Sequence, residues 1–78
     1  MYNGVMTSIL YTTGSLEEVR RVAEDVLDVP YVVEEADEYE SFTLAINVYA
    51  PVDIENLTKE FGKRLKRPVR ALEELEAA

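Results

Sequence analysis

Apolar residues recur along this 78-residue chain with two periods, and the switches between those periods mark its elements. Val5 to Thr12, VMTSILYT, is rich in β-branched and aromatic residues and predicts a strand. Thr13-Gly14 breaks it. Ser15-Leu16-Glu17-Glu18 matches a capping box, with Ser15 at N-cap and Glu18 at N3. Leu16, Val19, Val22, Ala23, Val26 and Leu27 follow at helical spacing and predict an amphipathic helix over 16–28. Pro30 ends it, and Tyr31-Val32-Val33 opens a second strand. Phe42 to Ala50, FTLAINVYA, sets Phe42, Leu44, Ile46 and Val48 on one face of a third strand that Pro51 stops. Asp53 caps a second helix whose Ile54, Leu57, Phe61 and Leu65 point inward. Beyond Pro68 a short strand around Val69–Leu72 precedes an Ala/Glu tail that frays or turns helical.

The order β-α-β-β-α-β is the split βαβ, or ferredoxin-like, arrangement. It predicts an α+β two-layer sandwich, with two helices on one face of a four-stranded antiparallel sheet. The last strand is its weakest element. A helical RALEELEAA would give βαββα with a trailing helix instead. The length fits one domain, 1–78, with a thin core, since a chain of this size buries only roughly 60% of its unfolded surface.

Composition narrows the chemistry. Apolar residues at 47% with 31% charged ones argue for a folded globule. With no Cys and no His, disulfides, thiolate metal sites and the commonest general base are all missing. No apolar run approaches the ~20 residues of a membrane span, and no signal peptide is visible. The expected location is the cytoplasm, or a host's cytoplasm for a phage protein.

Net charge is −8, and its distribution matters more than its size. Residues 1–14 carry no charge, 15–41 carry ten acids and two bases, and 42–78 carry six of each. The whole excess therefore sits in one 27-residue stretch. Lys59, Lys63, Arg64, Lys66, Arg67 and Arg70 cluster later, with only Glu60 among them, so the molecule is expected to be bipolar. Such an acidic field repels nucleic acid and membranes and attracts basic protein surfaces. The basic run lacks an aromatic platform for phosphate-bearing partners and matches the dipole of a solvated helix face.

The densest acid cluster lies in VVEEADEYES, where Glu34, Glu35, Asp37, Glu38 and Glu40 occupy seven positions without a base. Three readings fit: a solvated hairpin tip, a weak Mg²⁺ or Ca²⁺ site, or a protein-facing patch. A Ca²⁺ loop needs alternating Asp/Asn and a turn Gly, which DEYE lacks. A two-residue loop at Asp37-Glu38 would set Val33 opposite Phe42 and Tyr31 opposite Leu44. It would also set Glu35 against Glu40, a like-charge pair that destabilises a hairpin, in a turn lacking the preferred Asn-Gly or Asp-Gly. The first helix carries Glu24, Asp25 and Asp28 toward its C-terminal end, where acids oppose the dipole; Arg20 and Arg21 relieve this through i,i+4 contacts. Of five exposed-looking tyrosines (Tyr2, Tyr11, Tyr31, Tyr39 and Tyr49), Tyr39 among the acids is either an interface anchor or a shield for a sheet edge.

Catalysis is not expected. Ser8, Ser15 and Ser41 lack a base, and so small a domain has little room for the apolar pocket that tunes a carboxylate pair.

Thr13-Gly14-Ser15-Leu16-Glu17-Glu18-Val19, between a strand and a helix, resembles the opening of ACT-type regulatory domains. Gly14, Leu16 and Val19 match that family's Pro-Gly-x-Leu-x-x-Val. Thr13 replaces the Pro, and the acid before it is missing. The resemblance implies a βαββαβ module that dimerises and binds a small effector through Thr12, Thr13, Gly14 and Ser15.

The residues themselves favour a small, non-enzymatic, acidic protein-binding module without cofactors. Its most concrete form is a nucleic-acid-mimicking inhibitor of the anti-CRISPR or anti-restriction type. Glu24, Asp25, Asp28, Glu34, Glu35, Asp37, Glu38, Tyr39 and Glu40 would occupy a basic groove of a nucleic-acid-binding protein or complex. No direct nucleic-acid or membrane contact is expected, and a homodimer stays open. The alternatives are the ACT-like module and a designed or halophile-like domain whose acidity serves solubility alone.

Overall fold

Ser15 opens the first helix as its spacing predicts: its Oγ accepts from the Glu18 backbone N–H at 3.1 Å. In the computed structural model, which describes residues 6–77, that helix is α1 (Leu16–Val26). It follows β1 (Ser8–Thr12) and precedes β2 (Tyr31–Tyr39), β3 (Phe42–Val48), α2 (Ile54–Leu65), β4 (Arg70–Ala71) and α3 (Leu72–Ala77). The result is an α+β chain with a four-stranded antiparallel sheet and three helices, the strands lying in the order β2-β3-β1-β4. Among the described residues no helix is long and apolar enough to cross a membrane.

One face of the sheet carries α1 and α2. Leu10, Val33, Leu44, Ile46 and Val48 meet Val19 and Ala23 of α1 and Leu57, Phe61 and Leu65 of α2 in a single buried cluster. The strands contribute every second residue to it, as the pleat requires. Asp53 caps α2 by accepting from the Asn56 N–H at 3.2 Å. The helix ends at Lys66, whose left-handed backbone (φ 57°) lets its N–H reach the Gly62 carbonyl at 2.9 Å. Lys63 and Arg64 stand in its last turn, matched to the dipole.

Several boundaries differ from expectation. β1 begins at Ser8. Val5 lies outside the described residues, and Thr7 bonds through its N–H to Val48 and through its hydroxyl to Ala50. α1 stops at Val26, with Leu27 as its cap, so Asp28 falls beyond the helix rather than in its last turn. The final strand is only Arg70–Ala71, because the helix-favouring run LEELEA takes over at Leu72. The Ala71 N–H donates to the Glu74 carboxylate at 3.0 Å, the returning arm of a capping box. The short strand and the trailing helix, posed as alternatives, coexist.

The β2–β3 hairpin departs most. Its turn is at Glu40-Ser41, not Asp37-Glu38. Val33 faces Ile46 and Tyr31 faces Val48, in place of Phe42 and Leu44. Glu35 faces Leu44, so the like-charge pair with Glu40 does not form. Between Glu35–Leu44 and Tyr39–Phe42, three residues of β2 oppose Thr43 alone, which makes a bulge at Ala36–Glu38. The deeper register seats Val33 and Tyr31 over the fully buried side of β3, where each contributes more than at the hairpin tip.

Phe61, fully buried between the helices and the sheet, tests this core. Phe61→Ala is expected to lower unfolding free energy by about 3–5 kcal/mol, read as a fall in the urea midpoint.

Candidate functional site

The pleat divides the acidic tract between two faces of the sheet. Glu34 pairs with Ala45 and lies on the face away from α1 and α2, where its Oε2 accepts from Asn47 Nδ2 at 2.7 Å. Glu35, one residue on, turns to the opposite face and is exposed. Within the bulge the Asp37 N–H donates to the Glu38 carboxylate at 3.2 Å. Glu40 is exposed in the turn. The five acids therefore form a rim around the end and edge of the hairpin rather than one flat patch.

Tyr39 is half-buried, with its ring edge-on to Tyr11 at a centroid distance of 5.0 Å and an interplanar angle of 70°. Tyr11 was among the tyrosines expected to be exposed; it is buried. It pairs with Ala45, also buried, and neither belongs to the cluster beneath α1 and α2. The face away from α1 and α2 thus has a small apolar centre of its own. Burial raises the Tyr11 phenol above its ordinary value, and the negative charges of Glu38 and Glu76, with Tyr39 beside it, add to the effect. The hairpin tip reaches Tyr11 through Tyr39, and α3 packs against β1. Tyr2 lies outside the described residues.

On α1, Glu24 and Asp25 are exposed in the last turn, and Asp28 is exposed just past it. Arg21 does not serve Asp25: its Nη2 bonds Glu17 at 3.1 Å, toward the helix start. Asp25 instead lies close enough to Arg64 of α2 to favour its charged form. Arg64 bonds Glu60 at 2.8 Å and holds that carboxyl below its usual range. From residue 22 to residue 58 the chain has no Lys or Arg, so α1's end, β2 and the hairpin share one base-free side of the sequence.

The β1–α1 loop is held by internal contacts, although Gly14 and Ser15 are exposed. Thr12 is fully buried and its hydroxyl donates to the Pro68 carbonyl at 3.0 Å. Ser15 is occupied as the helix cap. Gly14, at φ +111°, lies under the Arg67 guanidinium; a Cβ there would stand 2.9 Å from its Nη1. Arg67 in turn bonds the Glu18 carboxylate, which therefore does not close the capping box. Thr13 is half-buried between these contacts.

Among the described residues no three carboxylates converge to hold a metal ion. No family model, no curated protein and no solved structure matches the chain.

Arg67 and Tyr11 are the participants that sequence reasoning missed. For Tyr11 a signal existed: Leu44–Val48 and Ile9–Tyr11 are nearly continuous apolar runs, the mark of strands covered on both faces. Nothing local in the sequence pairs Arg67 with Gly14.

Two outcomes test this geometry. Below pH 10.0 Tyr11 is neutral whether folded or unfolded; above it the unfolded chain loses the proton first. Stability is therefore expected to decline as pH rises through the raised folded value. Ultraviolet titration should show one late tyrosine, absent from Tyr11→Phe. Gly14→Ala is expected to destabilise by more than about 1 kcal/mol in thermal unfolding, and by less when Arg67→Ala has already cleared the space above it.

Proposed function

We propose that the chain is a small, non-enzymatic, protein-binding module whose acidic side engages a basic protein surface. One observation carries this: α1's acidic end packs beside β2, an edge strand rich in carboxylates, on the base-free side of the sequence. A side where acids outnumber bases, Arg20 and Arg64 being the bases beside it, raises the encounter rate with partners of the opposite sign. The most concrete form is an inhibitor of the anti-CRISPR or anti-restriction type, its carboxylates taking the place of phosphates in a basic groove. The strand order, with α1 and α2 each crossing between strands that are parallel but not adjacent, supports a ferredoxin-like arrangement extended by α3.

That strand order also suits an ACT-like effector module. An effector at the β1–α1 loop would have to displace Arg67 and compete with the partners that Thr12 and Ser15 already hold. The acidic side needs no such rearrangement and is the better supported of the two.

Charge reversal tests the proposal, with Glu34 left intact because the buried Asn47 amide depends on it. Glu35→Lys, Asp37→Lys and Glu40→Lys together should abolish capture of basic nucleic-acid-binding proteins from nuclease-treated lysate while the unfolding midpoint holds. Capture by the unmodified chain should fade at high salt. Undiminished capture by the reversed variant would sink the idea. Stabilisation of the unmodified chain by amino acids or nucleotides in a thermal shift would favour the effector module.

A further inference from the structure

Among the described residues the sheet ends on one side at β2, whose outer edge no strand covers. The backbone groups on that edge can be assigned. The Tyr49 N–H bonds the Pro30 carbonyl at 3.0 Å, which makes Pro30 and Tyr49 a hydrogen-bonded pair of the β2–β3 ladder. Antiparallel ladders alternate, so Val32–Asn47 and Glu34–Ala45 are bonded pairs as well. The N–H and C=O groups of Tyr31, Val33 and Glu35 therefore point away from β3, along the free edge.

Beside this edge a groove of about 390 Å³ runs between the strand and α1, lined by Arg20, Glu24, Tyr31, Val32 and Val33. Val32 is 46% exposed, a large apolar side chain left open to a partner. The opposite edge, β4, has two residues before α3 begins and offers little ladder to pair with.

We propose that the β2 edge takes up an extended basic segment of a partner protein as an added strand. This rests on the acidic-surface function proposed above and specifies how the partner is held. Main-chain bonds to Tyr31, Val33 and Glu35 supply affinity, and alternate side chains supply selectivity. Incoming side chains meet Val32 and Glu34 on one face, and Glu35 with Glu24 on the other. Three carboxylates against the single cation Arg20 favour Lys and Arg in the arriving strand. A second copy of β2 would bring acids against acids and is disfavoured by the same charges. The bulge at Ala36–Glu38 breaks the edge beyond Glu35, which confines pairing to Tyr31–Glu35.

The test titrates the full chain with a capped peptide of alternating lysine and valine. A second peptide of the same sequence carries an N-methyl group on every backbone amide, so that neither of its edges can donate to β2. The plain peptide is expected to bind and to slow hydrogen exchange at the Tyr31, Val33 and Glu35 amides. The fully methylated peptide keeps the charge but loses the ladder, and should bind at least about tenfold more weakly. On the protein, Glu35→Pro removes one outward N–H at an edge position where proline is tolerated. It should weaken binding more than Glu35→Gln, which removes only the charge. Equal binding of plain and methylated peptides overturns strand addition while leaving an acidic surface that binds by charge alone. Absence of binding by every peptide at low salt also overturns it, and the lysate capture then decides the wider function independently.

Discussion

Everything in this molecule depends on covering both faces of β3. The strand lies between β1 and β2, so its backbone groups are bonded on both sides, and all five residues from Leu44 to Val48 are buried. Leu44, Ile46 and Val48 are covered by the two long helices. Ala45 and Asn47 face the other way and need cover from elsewhere. Tyr11 and Tyr39 supply the apolar part, and Glu34 supplies the acceptor that a buried Asn amide requires. A chain this short has a thin core, and a second small apolar centre on the face away from α1 and α2 enlarges it.

That requirement shapes the acidic tract. β2 must run deep enough to set Val33 on Ile46 and still return Tyr39 to Tyr11. The bulge absorbs the difference, and the carboxylates between these anchors are left at the rim. One of them, Glu34, is thereby structural. The others stand along an edge strand, where charge discourages a sheet from pairing with its own copies. Protection against neutral strands and the proposed attraction of basic ones would both follow from the same field, so the solubility reading and the proposed binding reading concern one surface.

A second set of contacts joins the loops at the other end of β1. Thr12 bonds Pro68, Arg67 covers Gly14, and the Arg67 guanidinium holds Glu18. These tie the start of α1 to the end of α2. They explain why one member of the basic run turns inward while Lys63 and Arg64 follow the helix dipole.

Local chemistry determined the element order, both helix caps, the helix-facing residues of β3 and the concentration of negative charge in one segment. Each depends on neighbours a few positions away: Ser15 and Asp53 as caps, Leu44, Ile46 and Val48 in alternation, LEELEA as a helix former. Only the tertiary structure decided the hairpin register, the burial of Tyr11, the pairing of Arg67 with Glu18 and the division of Glu34 from Glu35 across the sheet. Val33 meets Ile46 because two strands compete for the most buried ground beneath the helices, and that competition is settled among residues distant in sequence. A pleat with a period of two turns a small change in such pairing into a different set of side chains on each face.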